Sequence, residues 1–253
     1  FYSEIADYSV QLAFPEKYKL ASTGEVVSES IDEGNKLVNI TAEDVRDFVF
    51  VLSEKFEVLS EEVGQTTVEY YYYDDENPEE SLKTSVLALQ TFNELFGEYP
   101  YTTLKVVEAS FVHGGMEFPN LVLISDSLYS YETYLAVIVH EIAHQWWYGL
   151  VGNDQYNYGW LDEGLAEFST ALFYEKNSEY NLDKDQMTLR NQSNYNIFKK
   201  IYTDVLGNVD TKFNRALDEF ANEQEYVYTA YVKAYLMHDT LYELLGEKTY
   251  LKC

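Results

Sequence analysis

The sequence predicts an α+β chain, with a β-rich region over residues 1–76 followed by a mainly helical region over residues 77–253. Three observations predict it. Short runs of alternating apolar and polar side chains, separated by polar turns, fill the first third of the chain, which is the pattern of half-buried strands. From residue 78 onward apolar positions recur at helical spacing instead. The chain is 46% hydrophobic and 17% aromatic over 253 residues, enough to bury one large core or two small ones.

Taken in order, residues 3–14 alternate through Ile5, Tyr8, Val10, Leu12 and Phe14 and predict a strand. A second strand over 18–23 meets a turn at Gly24, and further strands are expected over 36–40, 48–52 and 67–73. This part is read as support for the helical region, because function is carried by sites grafted onto a fold. The acidic cluster 74–80 contains Pro78, a helix-start signal. A core-facing helix over 81–96 then carries Leu82, Val86, Leu89, Phe92 and Phe96, and stops at Gly97 and Pro100. A strand over 104–107 leads to G-G-M-E-F-P at 114–119, where Gly114 and Gly115 let the backbone bend and approach a ligand closely. After a strand over 121–124, Ser130 is a fitting N-cap for the next helix. Trp160 opens an amphipathic helix that continues to residue 174. A polar helix is expected over 183–206, ending at Gly207, and a last helix over 225–245 carries Tyr226, Tyr228, Tyr231 and Tyr235.

The chemistry concentrates in residues 140–167. Residues 134–139 are almost wholly apolar, so they predict a buried helix in which polar side chains need a reason. His140 and His144 stand four apart, one turn along a single face, where two imidazoles can converge on one ion. Glu141 sits one position round from His140, within reach of a water on that ion without being a ligand. A zinc site of this kind takes a third protein ligand and keeps one position for water. The run W-L-D-E-G assigns the third ligand to Glu163, early in the helix after Gly159, and Glu141 is then placed to take the water's proton as it attacks a carbonyl. Glu167, one turn beyond Glu163, suits either a hydrogen bond from a ligating imidazole or plain solvation. Asp162 is read as helix N-terminal charge, and Trp146, Trp147 and Tyr148 as packing.

H-E-x-x-H at 140–144, eighteen intervening residues and then Glu163 within W-L-D-E-G resemble the gluzincin aminopeptidases of the aminopeptidase N family. G-G-M-E-F-P upstream and Y-V-K-A at 231–234 match two more of that family's signatures in order and approximate spacing, and the likeness spans roughly residues 80–245. The resemblance implies a thermolysin-like zincin catalytic domain holding one zinc ion on His140, His144 and Glu163. It implies that the loop of Gly114, Gly115 and Met116 runs beside the substrate as an edge strand, with Glu117 binding its free α-amino group; in an isolated G-G-x-E the same glutamate would be a solvated loop residue. It further implies that Tyr231 donates a hydrogen bond to the oxyanion, a task to which a phenol is suited. Tyr228 and Tyr226 are the alternatives if the register shifts. Two departures stand out: Phe118 where many members have Asn, which removes an amide from the cleft, and Ala234 where many have Gly. The activity implied is removal of N-terminal residues from peptides. An endopeptidase using the same metal set, or a silent peptide-binding scaffold, are the alternatives.

The charge narrows the partners. With 17 Lys and Arg against 44 Asp and Glu, the formal charge of -27 repels phosphate backbones and anionic membranes, which disfavours a nucleic-acid role. One cysteine, Cys253, allows no disulfide within the chain and no thiolate zinc site. No signal peptide or membrane-spanning run is visible, while the absence of an initial Met and the family's longer pattern predict flanking N- and C-terminal domains beyond this piece. His113 is expected to be exposed, and His238 and Lys233 to be structural. Compartment is left undetermined.

Overall fold

The computed structural model describes residues 3–252, so Cys253 lies outside the described residues. The chain divides into two compact units, one of residues 3–93 with 97–149 and the other of residues 94–96 with 150–252.

The first unit opens with β1 (Ala6–Pro15), β2 (Lys19–Ser22), β3 (Glu25–Asp32), β4 (Asn35–Val45) and β5 (Phe50–Ser53). β1, β4 and β3 form an antiparallel sheet in that order, and β2 pairs with β5. Val10 lies opposite Ile40 and Leu12 opposite Val38, so the alternating apolar positions of the two strands share one face. Phe14, Val38 and Ile40 form the buried cluster beneath it, with Leu12, Tyr18 and Leu20 packed against them.

A larger five-stranded sheet contains β6 (Glu57–Val63), β7 (Thr66–Tyr72), β8 (Thr103–Ala109), β9 (Gly115–Met116) and β10 (Leu121–Ser125), in the order β6, β7, β8, β10, β9. The β7–β8 and β8–β10 pairs are parallel, and the two outer pairs are antiparallel. A parallel neighbour needs a long crossover, and α1 (Pro78–Phe96) supplies it between β7 and β8. The inner strands are buried through Leu104, Val106, Val107, Leu121, Val122 and Ile124, as strands covered on both faces should be. Glu108, on β8, accepts hydrogen bonds from the backbone N–H groups of Tyr73 (2.6 Å) and Asp74 (2.9 Å) and so fixes the turn that leads into α1. After β10 comes α2 (Tyr131–Ala143), capped by Ser130, whose hydroxyl accepts from the Thr133 N–H at 3.2 Å.

The second unit is helical: α3 (Gln155–Tyr158), α4 (Trp160–Lys176), α5 (Lys184–Leu206), α6 (Glu223–Tyr226), a π-helical segment (Val227–Lys233), α7 (Ala234–Leu245) and α8 (Glu247–Tyr250). α5 begins with a capping box formed by Asp183 and Gln186 and ends at Gly207, whose φ of 75° is left-handed; both ends fall where the sequence placed them. Lys184 binds Asp239 (3.1 Å) and Glu243 (2.9 Å), tying the start of α5 to α7. The core joins Phe168, Ala171 and Leu172 of α4 to Tyr235 of α7. A second cluster sets Tyr195 and Phe198 of α5 against Val232.

The β-then-helix order is as expected. Two strands were not foreseen: β3 is exposed along its whole length and β6 nearly so, so neither shows a buried face for periodicity to report. The single helix expected over 225–245 is interrupted by the π segment. Among the described residues no helix is long and apolar enough to cross a membrane.

Candidate metal centre

In the first unit α2 delivers the histidine pair. His140 closes its last turn and His144 is its C-cap, with helical φ and ψ of −64° and −13°, so the four-residue spacing is realised on one face. The two Nε2 atoms lie 3.1 Å apart with the ring planes inclined at 72°. A tetrahedral ion with Zn–N bonds of about 2.0–2.1 Å separates two ligating nitrogens by about 3.3 Å, so the pair fits a metal. His144 Nδ1 stands 2.8 Å from the Trp147 carbonyl. A carbonyl only accepts, so Nδ1 carries the proton and Nε2 presents its lone pair, the tautomer that a ligand needs.

Glu141 is buried, 6% exposed. The G-G-M-E-F-P loop approaches it through β9, where Met116 pairs with Leu123 and Gly115 with Ile124 of β10. A Cβ at Gly115 would lie 2.1 Å from Glu141 Oε1, so a side chain here would force the Glu141 carboxylate to shift. Gly114 accepts the Ser125 N–H at 3.0 Å. The next carboxylate along the loop, Glu117, is 8% exposed, and the ligand atoms of Glu117, Glu141 and His144 all fall within 4.8 Å of one another. Residues from two separate sequence motifs thus meet. His113 is exposed. Tyr148 adopts a left-handed φ of 130°, and its carbonyl is held by Arg46 Nε at 2.8 Å. Burial, then the nearby carboxylates of Asp47 and Glu117, push its phenol above the ordinary range.

In the second unit Glu163 lies in the first turn of α4. The Tyr231 hydroxyl donates to Glu163 Oε1 at 2.5 Å. Gly164 makes this approach feasible, since a Cβ there would come within 2.5 Å of the Ala234 Cβ. The tyrosines of this segment point to different places. Tyr228 stacks on Phe198 with centroids 4.8 Å apart, and Tyr226 packs edge-on against the Tyr231 ring, while Tyr231 is bonded to Glu163. Glu167 is half-buried on α4, one turn beyond Glu163. Asp162 does more than charge a helix start: 2% exposed, it accepts from Asn153 Nδ2 (3.0 Å) and Gln155 Nε2 (2.6 Å) and ties down the segment before α4. Its place in the first turn of an amphipathic helix gave no sign of this, because the partners lie outside that helix, in the loop before α3 and at the start of α3. His238 is structural as expected: burial lowers its pKa to about 4, and its Nδ1 lies 2.9 Å from the Tyr250 hydroxyl.

Compared with known proteins, residues 80–253 match the family model described as the peptidase family M1 domain. Over 83 residues the chain is 35% identical to leucine aminopeptidase 2 of Saccharomyces cerevisiae, a match covering 32% of this chain and 12% of that protein. Over 93 residues it is 39% identical to aminopeptidase B of Homo sapiens, covering 34% of this chain and 14% of the relative. Among solved structures, an M1 zinc metallopeptidase from Deinococcus radiodurans superposes with a TM-score of 0.76 at 18% identity, over 99% of this chain and 56% of that one. A mutant of that enzyme bound to a Tyr-Ser-Ala substrate gives 0.73 at 18% identity, over 99% and 55%. At such identity the likeness is one of fold, and this chain spans only part of the length of each of these proteins.

Proposed function

The chain belongs to peptidase family M1, and from that premise we propose that it is the catalytic part of a zinc aminopeptidase, with residues 77–253 binding one zinc ion and residues 1–76 supporting them. The observation that carries the reading is the meeting of Glu117 and Glu141 with His144, beside a histidine pair whose Nε2 atoms are 3.1 Å apart. By the H-E-x-x-H spacing and the W-L-D-E-G run, His140, His144 and Glu163 would hold the ion, a nitrogen and carboxylate set that suits zinc and leaves a position for water. Bound there, zinc would acidify that water and polarise the peptide carbonyl.

The chain's own residues do the rest. Glu141, buried and pressed by the Gly115 backbone, takes the water's proton and later passes it to the departing amine. Glu117, equally buried, offers its carboxylate to the substrate's N-terminal ammonium, a charge that needs a partner in a dry site. Tyr231 donates its phenolic hydrogen to the oxygen on which negative charge develops. An anchor at the ammonium limits cleavage to the first residue, which separates this reading from an endopeptidase with the same metal set.

The test compares an aminoacyl anilide with its N-acetylated form, alongside metal analysis of the purified chain. The proposal expects zinc in the protein and turnover confined to the free amine. Equal turnover of both forms would make it an endopeptidase, and absence of turnover with zinc bound would leave a binding scaffold.

A further inference from the structure

We propose that Gln145 is a positioning residue which locks the second half of the G-G-M-E-F-P loop to the end of α2 and thereby sets Glu117 against Glu141 and the histidine pair. This rests on the aminopeptidase reading above. Gln145 is 2% exposed and uses both ends of its amide. Its Oε1 accepts the Asn120 N–H at 2.9 Å, and its Nε2 donates to the Phe118 carbonyl at 3.2 Å. Those two groups flank Pro119 and come directly after Glu117. The Tyr99 hydroxyl donates to the same Oε1 at 3.4 Å, and Asn120 Nδ2 donates to Tyr99 at 3.0 Å, which closes a buried ring of polar groups. Asn120 sits at a left-handed φ of 59°, a conformation that needs such outside support.

The loop is therefore held in two halves. Before Glu117, the short pairing of β9 with β10 and the Gly114 carbonyl fix it to the sheet. After Glu117, the Lys105 N–H bonds the Asn120 carbonyl and the Leu121 N–H the Phe118 carbonyl, and the side chain reaching in from the turn just past α2 is Gln145. It stands four residues after Glu141, in the turn just past α2, where its own N–H bonds the Ile142 carbonyl at 3.0 Å. An amide suits the site, which asks one side chain to accept at one atom and donate from another away from water.

Gln145→Met keeps length and bulk but neither bond, while Gln145→Glu keeps the acceptor for Asn120 and sets a carboxylate against the Phe118 carbonyl. Both are compared with wild type for zinc content, hydrogen exchange over residues 114–120, kcat and KM on a free-amine anilide, and inhibition by an N-acetyl peptide. Expected for Gln145→Met are unchanged zinc, faster exchange in the loop, a KM raised about tenfold with kcat within about threefold, and unaltered N-acetyl inhibition. Gln145→Glu should fall between that variant and wild type. Unchanged exchange and KM in Gln145→Met would overturn the proposal, as would a parallel loss of zinc, kcat and affinity, which is what general loosening produces. If wild type itself binds free and acetylated peptides equally, it is the aminopeptidase reading that falls, and this role falls with it.

Discussion

At the scale of single residues, the site depends on groups whose neighbours leave them little freedom. Glu141→Gln preserves size and the contact with Gly115 but cannot accept a proton. It should retain zinc while lowering kcat by about 10²–10⁴-fold, the usual share of a positioned base; metal analysis with steady-state kinetics would check this, and an unchanged rate would remove Glu141 from the mechanism. Gly115→Ala attacks the same carboxylate from the loop side. With a Cβ at 2.1 Å from Oε1, something must shift, so kcat should fall with zinc retained and stability should drop by about 1–3 kcal/mol, read from a urea midpoint. The two variants separate loss of the base from its displacement.

At the scale of elements, the π-helical segment is the part least expected from sequence. Such segments arise where one residue more than an α-helix can hold is accommodated, often at functional sites. Here it carries Tyr231 to Glu163 while Tyr228 stays stacked on Phe198. Deleting Val227, which is exposed, should restore ordinary helix and turn Tyr231 away from Glu163. Helical content by circular dichroism should persist while kcat falls as far as in Tyr231→Phe; activity kept at the wild-type level would show that the irregular segment does not aim the phenol. Much else was legible beforehand. α5 could be bounded from Asp183 and Gly207 because capping is local chemistry, and His140, Glu141 and His144 could be paired because helical spacing is fixed. The bonds of Gln145 could not be foreseen, since its partners arrive from a distant loop, nor those of Asp162, whose partners lie outside its own helix. Nor could β3 or the π segment, where no burial period or cap marks the chain.

At the scale of the whole molecule, the excess of acid that the composition announced is a property of surfaces more than of the site, where Glu117 and Glu141 are buried. β3 is the outer strand of its sheet, with Val26, Val27 and Ile31 each more than half exposed and Glu25, Glu29 and Asp32 set among them. An unpaired strand border is an invitation to like molecules, and interspersed negative charge is a common deterrent. That deterrent acts through water and can be screened. As salt is raised toward 1 M, where the screening length falls to about 3 Å, the like-charge barrier fades while the aliphatic side chains stay where they are. Light scattering should therefore register self-association at high salt under conditions where the protein in dilute buffer stays dispersed, and Val26→Ser, which removes apolar surface from the edge, should reduce it. The same ribbon of backbone that adds a third strand to a small sheet thus sets the upper salt limit for keeping this protein dispersed.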